Sequence, residues 1–135
     1  MHRLSSIVAA LVVVAAAAAV DARATTGTGN QNPDLFVRAS VTPDQAATGQ
    51  LVTATVVVRN KSTRRQTVTV TASLTSPYGE TYSYVRTRVL RRGQTVRETA
   101  SRVVQASDPR GVYTLTVSAR SNTGTSTASA SVMYV

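Results

Sequence analysis

The chain has no cysteine and no tryptophan, one histidine at position 2 and one phenylalanine at position 36. Without cysteine there can be no disulfide, no thiol nucleophile and no thiolate metal site. The lone histidine sits in a segment that reads as an export signal. The rest of the chain therefore has no Ser-His or Cys-His pair for nucleophilic catalysis and no zinc ligand set. Carboxylates are scarce as well. Asp34, Asp44, Glu80, Glu98 and Asp108 are all that follow the signal. A paired-carboxylate hydrolase would need two of them to converge. Asp34 and Asp44 stand at loop starts, and Asp108 reads as a cap on its own turn. No D-x-D run offers a calcium loop. We expect no catalytic residue, no metal and no cofactor, so not an enzyme.

The first residues have the three parts of a secretory signal. His2 and Arg3 give a basic start, Ile7 to Val20 is a run of Ile, Val, Leu and Ala, and Ala22-Arg23-Ala24 supplies small residues before a cut after Ala24. The apolar run falls short of the ~20 residues that a spanning helix needs. The expected organisation is a signal peptide at 1–24, a flexible leader at 25–33 and one β-sandwich domain at 34–135. The leader, TTGTGNQNP, is polar, contains glycine and has no apolar period. The expected location is secreted, extracellular or periplasmic, with the membrane touched only through the signal before cleavage.

Removing residues 1–24 takes away Arg3, Arg23 and Asp21, which leaves 13 basic against 5 acidic residues. Such a surplus favours anionic partners: envelope polymers, acidic glycans or nucleic acid. All the basic residues but Lys61 are arginine, a bias that GC-rich codon use also produces.

From Asp34 onward the hydrophobic period is two. Strands are expected at about 35–41, 51–59, 66–74, 80–90, 95–104, 112–120 and 125–135. The third is the cleanest: Val68, Val70, Ala72 and Leu74 face in, and Thr67, Thr69, Thr71 and Ser73 face out. In the fifth, Glu98 and Arg102 share parity with Val96, Ala100 and Val104, which predicts a bulge or an edge position. Pro and Gly mark turns at Ser76–Gly79 and Asp108–Gly111, and Asn60-Lys61-Ser62 reads as a polar turn. Seven short strands separated by such turns predict an all-β, seven-stranded antiparallel sandwich of immunoglobulin type.

The fourth strand carries the candidate binding surface. Tyr82, Tyr84, Arg86 and Arg88 share one parity, and Val85 and Val89 take the other. The expected result is an exposed Tyr/Arg stripe, extended by Tyr78 and the Arg91-Arg92 turn. Aromatic faces stack on sugars or bases, and guanidinium forks grip phosphate or carboxylate. The competing explanation is that these residues simply make good cross-strand pairs on a wet strand.

At the sixth strand, Asp108-Pro109-Arg110-Gly111-Val112-Tyr113 resembles the Asp-x-Gly-x-Tyr corner of immunoglobulin-like domains. The resemblance implies that the Tyr113 hydroxyl ties the corner to nearby backbone, with Asp108 and Gly111 shaping the turn. Val41-Thr42-Pro43, Gly49-Gln50, Val56 to Asn60 and Leu90 to Thr95 resemble the turns of bacterial Ig-like and CARDB-type surface repeats. The Gly-x-Tyr-x-Leu-x-Val strand resembles the macroglobulin-type domain. The likeness covers about 35–135 and implies a secreted β-sandwich without fixing a function.

The expected function is a non-catalytic secreted or cell-surface module with a binding or structural role. Its expected partner is a protein or an anionic glycan or envelope polymer. Nucleic acid suits an exported protein poorly. The alternative is an inhibitor or subunit that presents a loop or edge strand to another protein.

Overall fold

The computed structural model describes residues 23–135. The expected signal lies outside the described residues, apart from its last two positions. Every regular element among the described residues is a strand: β1 (Thr25–Gly29), β2 (Leu35–Thr42), β3 (Gln45–Ala46), β4 (Leu51–Asn60), β5 (Gln66–Thr75), β6 (Thr81–Leu90), β7 (Thr95–Val103), β8 (Gly111–Ser121) and β9 (Gly124–Tyr134). They form two sheets, ordered β1-β2-β4-β7 and β3-β9-β8-β5-β6. Pairing is antiparallel throughout, except that β3 lies parallel to β9.

Alternation builds the core. On β5, Val68, Ala72 and Leu74 are buried, and on β8 Tyr113, Leu115, Val117 and Ala119 are buried opposite Val37, Ala39 and Val41 of β2. Their Thr and Ser neighbours stay at the surface and pair across strands, as Ser73 does with Ser83 and Thr75 with Thr81. β-Branched and hydroxyl residues suit that half-wet surface.

Two elements depart from expectation. Residues 25–29, expected as part of a flexible leader, form β1, which pairs with β2 from Thr25↔Val41 to Gly29↔Val37. The reason lies in the glycines. A Cβ on Gly27 would stand 1.9 Å from the Ser129 carbonyl oxygen, and one on Gly29 1.9 Å from that of Thr127. The alternating T-G-T-G pattern lets the backbone of β1 lie directly on β9. Gln31 then bridges to Thr127, accepting its N–H at 2.8 Å and donating to its carbonyl at 3.2 Å. The second departure is β3, a two-residue strand that brings the chain to the other sheet after a cis Thr42–Pro43 bond. The sandwich thus has nine strands, and the seven expected segments coincide with seven of them.

The close approach can be tested. Gly27→Ala is expected to cost about 1–3 kcal/mol, the range for overpacking. Amide exchange should speed up in residues 25–29 while β5 and β8 keep their protection. Unchanged exchange in β1 would refute the glycine contact.

Candidate functional site

β6 and β7 are the edge strands of opposite sheets on the same side of the sandwich. The edge position expected for β7 is present, and its register with β4 runs without a bulge from Thr95 to Val103. A short turn joins the two edges, with the Gln94 N–H donating to the Arg91 carbonyl at 2.9 Å. The mouth between the sheets is left open there.

The expected Tyr/Arg stripe lines this mouth, and its orientation corrects the sequence reading. Tyr82, Tyr84, Arg86 and Arg88 stand opposite Leu74, Ala72, Val70 and Val68 of β5, so they point toward the inter-sheet space. The outward parity belongs to Val85 and Val89, which are 60% and 53% exposed. An edge strand has no complete opposing layer, so inward charged side chains can still reach water. Arg86 and Arg88 line a small open cleft together with Val56, Val58, Val70 and Val96. Their guanidinium groups reach across to the same carboxylate oxygen of Glu98 on β7, Arg86 at 3.1 Å. The Arg86 guanidinium also sits 5.1 Å from the centre of the Tyr84 ring. Tyr82 packs on the core margin, and its hydroxyl donates to Glu80 at 3.4 Å.

This arrangement has a structural use. Inward-facing charges at open edges discourage strand-to-strand aggregation. The Glu98 pairs are partly exposed and contribute at most about 1 kcal/mol. Sequence reasoning noticed Glu98 in an inward position but did not connect it with Arg86 and Arg88. The signal was available: one inward acid on a strand that a tight turn joins to two inward arginines.

Arg91 and Arg92 are exposed in the β6–β7 turn, beyond the end of the stripe. Tyr78 lies at the other end of the sandwich, in the β5–β6 turn, and is 76% exposed. Tyr78 and Arg91-Arg92 thus flank opposite ends of the β6 stripe.

The corner residues converge at the opposite end from Arg91. The Tyr113 hydroxyl donates to the Pro109 carbonyl at 2.9 Å, and its ring lies 4.2 Å from that of Tyr134. Gly111 has φ +129, and a Cβ there would meet Pro77 at 2.9 Å, so both backbone and space require glycine. The Asp108 side chain is fully buried and accepts from Arg102 at 2.9 Å and from the Gln105 N–H at 2.8 Å. Burial pushes the Tyr134 phenol above its ordinary range; Arg102 opposes the shift and Asp108 adds to it. Among the described residues, no group of three His, Cys, Asp or Glu side chains stands ready for a metal ion.

The family model of the proprotein convertase P-domain matches residues 51–129, from β4 into β9. Among solved structures, the chain is similar to an alkylpurine DNA glycosylase, AlkC, of Pseudomonas fluorescens bound to DNA containing an abasic site analog. That match has a TM-score of 0.51 and 13% identity over 84% of this chain. It spans 30% of the glycosylase chain, so the likeness concerns a part of that protein and the fold alone. A Niemann-Pick type C2 protein from the Japanese carpenter ant aligns over 86% of this chain and 98% of its own, at 6% identity and a TM-score of 0.44. No curated protein matches the chain.

Proposed function

The chain belongs to the proprotein convertase P-domain family, and on that premise we propose that it is an exported, non-catalytic accessory module that works by binding an anionic polymer. P-domains are non-catalytic β-sandwich modules that occur in secreted proteins, which supports a site of action outside the cytoplasm. An immunoglobulin-like arrangement is our finer reading of the sandwich. The order β9-β8-β5-β6 facing β2-β4-β7 supports it.

One observation carries the choice of partner. Arg86, Arg88 and Arg102 are engaged by carboxylates, while every other cation in residues 23–135 except Arg38 is exposed. A surface with this excess of free arginine concentrates polyanions, and arginine forks bind sulfate and carboxylate bidentately.

The test is retention of the exported chain on dextran sulfate against neutral dextran across a salt series. Retention on the sulfated polymer alone, falling steeply as counterions compete, is expected. Equal retention on both would remove the polyanion from the function. A second reading rests on β6, an edge strand of ten residues with Val85 and Val89 exposed, which could accept a strand from a protein partner. That contact would survive high salt.

A further inference from the structure

Free cations are not spread evenly over the molecule. At one end, the β4–β5 loop carries Lys61, Arg64 and Arg65, and the β6–β7 turn carries Arg91 and Arg92, all exposed. Arg59 and Arg120 stand at adjacent strand ends. Asp34 is the acid at this end, near Lys61, whose N–H donates to the Asp34 carbonyl at 2.8 Å. The opposite end carries Asp44, Glu80 and Asp108 against Arg23, Arg102 and Arg110. Codon bias toward arginine would enrich both ends alike. It would not gather the uncompensated cations at one end and leave the other balanced.

The basic loops are also fastened to each other. Asn60 closes β4 and has no exposed surface. Its amide nitrogen, with two hydrogens of which one is shared, reaches the carbonyls of Arg64 at 2.8 Å, Leu90 at 3.0 Å and Arg91 at 3.1 Å. Its oxygen accepts from the N–H and hydroxyl of Ser62 at 2.9 and 2.7 Å. Its backbone N–H donates to the Gln94 carbonyl, and its own carbonyl accepts from the Gly93 N–H, each at 3.0 Å. One buried side chain thus pins together two loops that are about thirty residues apart in sequence. The neighbouring cations repel one another, and fixing the loops removes the freedom they would otherwise use to separate.

We propose that this basic pole, Lys61, Arg64, Arg65, Arg91 and Arg92 held by Asn60, is the binding site for a sulfated or carboxylated polysaccharide. The proposal rests on the polyanion reading above and names its site. A preformed cluster binds without first paying to gather its charges, and a polymer with repeating anions relieves several repulsions at once. The opposite end has no surplus of either sign, since Arg23, Arg102 and Arg110 match Asp44, Glu80 and Asp108 there, so the polymer is expected to meet the pole first. A polysaccharide fits better than a single-stranded nucleic acid because the two loops carry no aromatic side chain on which a base could stack. The five tyrosines lie elsewhere, on β6, on β8, on β9 and in the β5–β6 turn, and Phe36, opposite Arg59, is half-buried on the β2 sheet face outside the two loops.

The experiment compares two variants of equal charge for binding to dextran sulfate. Arg64→Ser/Arg91→Ser/Arg92→Ser removes three cations from the pole. Arg38→Ser/Arg97→Ser/Arg110→Ser removes three from the sheet face and the far end. Thermal melts establish that both fold. At about 0.15 M salt the pole variant is expected to lose roughly tenfold or more in affinity, with a shallower salt slope. The control is expected to lose less than about threefold. Equal losses would overturn the site, because net charge alone would then explain binding. Tighter binding to a single-stranded oligonucleotide of matched charge would overturn the ligand class. If the unaltered chain fails to bind dextran sulfate, the polyanion function itself falls, an outcome separate from misplacing the site.

Discussion

Asp108→Ala should be the most damaging single change in the corner, costing about 3–5 kcal/mol. Asp108 is fully buried, and the Arg102 side chain is only 10% exposed. One guanidinium nitrogen, Nη1, is buried with no hydrogen-bond partner, so the arginine is already imperfectly satisfied. Removing the carboxylate leaves a buried positive charge with nothing opposite, and it also frees the Gln105 N–H that closes the β7–β8 loop. The loss comes from the orphaned charge more than from the pair itself. Asp108→Leu combined with Arg102→Met should therefore be less harmful than Asp108→Ala alone. Urea denaturation of the two singles and the double isolates the coupling. Tyr113→Phe, which gives up the bond to the Pro109 carbonyl, should cost only about 1 kcal/mol. Glu98→Ala should also stay near 1 kcal/mol, because its arginines keep access to water. A result in which Glu98→Ala matches Asp108→Ala would show that burial does not separate these two pairs.

The contrast between the two acids shows which features were legible before the structure. Along most of β5 and β8 an apolar residue (Val, Leu, Ala or Tyr) stands at every second position with Thr or Ser between, and a period of two admits only one inward face. Their position and orientation could be read directly. β6 has Val85 and Val89 on one face and Tyr and Arg on the other, and the apolar face looked like the inner one. That inference assumes a complete opposing layer. An edge strand lacks one, so long amphipathic side chains can face inward and still be solvated. Edge position depends on sheet order, which alternation does not encode.

β1 was hidden for a different reason. Gly27 and Gly29 leave no apolar residue to mark an inner face, and their role appears only when the Ser129 and Thr127 carbonyls are placed above them. The basic pole was half visible. Arg91-Arg92 stands out in the sequence as a pair beside the β6 stripe. Its neighbours across the Asn60 network, Lys61, Arg64 and Arg65, follow Asn60 itself, which reads in the sequence as an ordinary turn asparagine. The connection runs through a side chain, and no local pattern reports a side chain that bonds across thirty residues.

Asn60→Ala is the second large effect. It removes the amide's bonds to three carbonyls and its two bonds from Ser62. The Arg64 and Ser62 groups can turn to water, so their loss is cheap. The Leu90 carbonyl is in the buried part of the network and would be stranded, at about 1–3 kcal/mol. The cavity and the freed loops add to this, and an overall loss of about 2–4 kcal/mol is expected from denaturant melts. Amide exchange should accelerate at 61–66 and 91–94 before it changes in β5 or β8. Asn60→Asp keeps the acceptor for Ser62 but loses the donor and places a carboxylate against three carbonyls, so it should be no milder. Ser62→Ala removes only the local bond and should cost less than about 1 kcal/mol. Asn60→Ala changes no charge. Below its melting transition, its affinity for dextran sulfate therefore reports the clamp alone. A clear loss of affinity at constant net charge would mean that the pole works as a fixed arrangement of cations. Unchanged affinity would mean that the loops gather on the polymer without the asparagine.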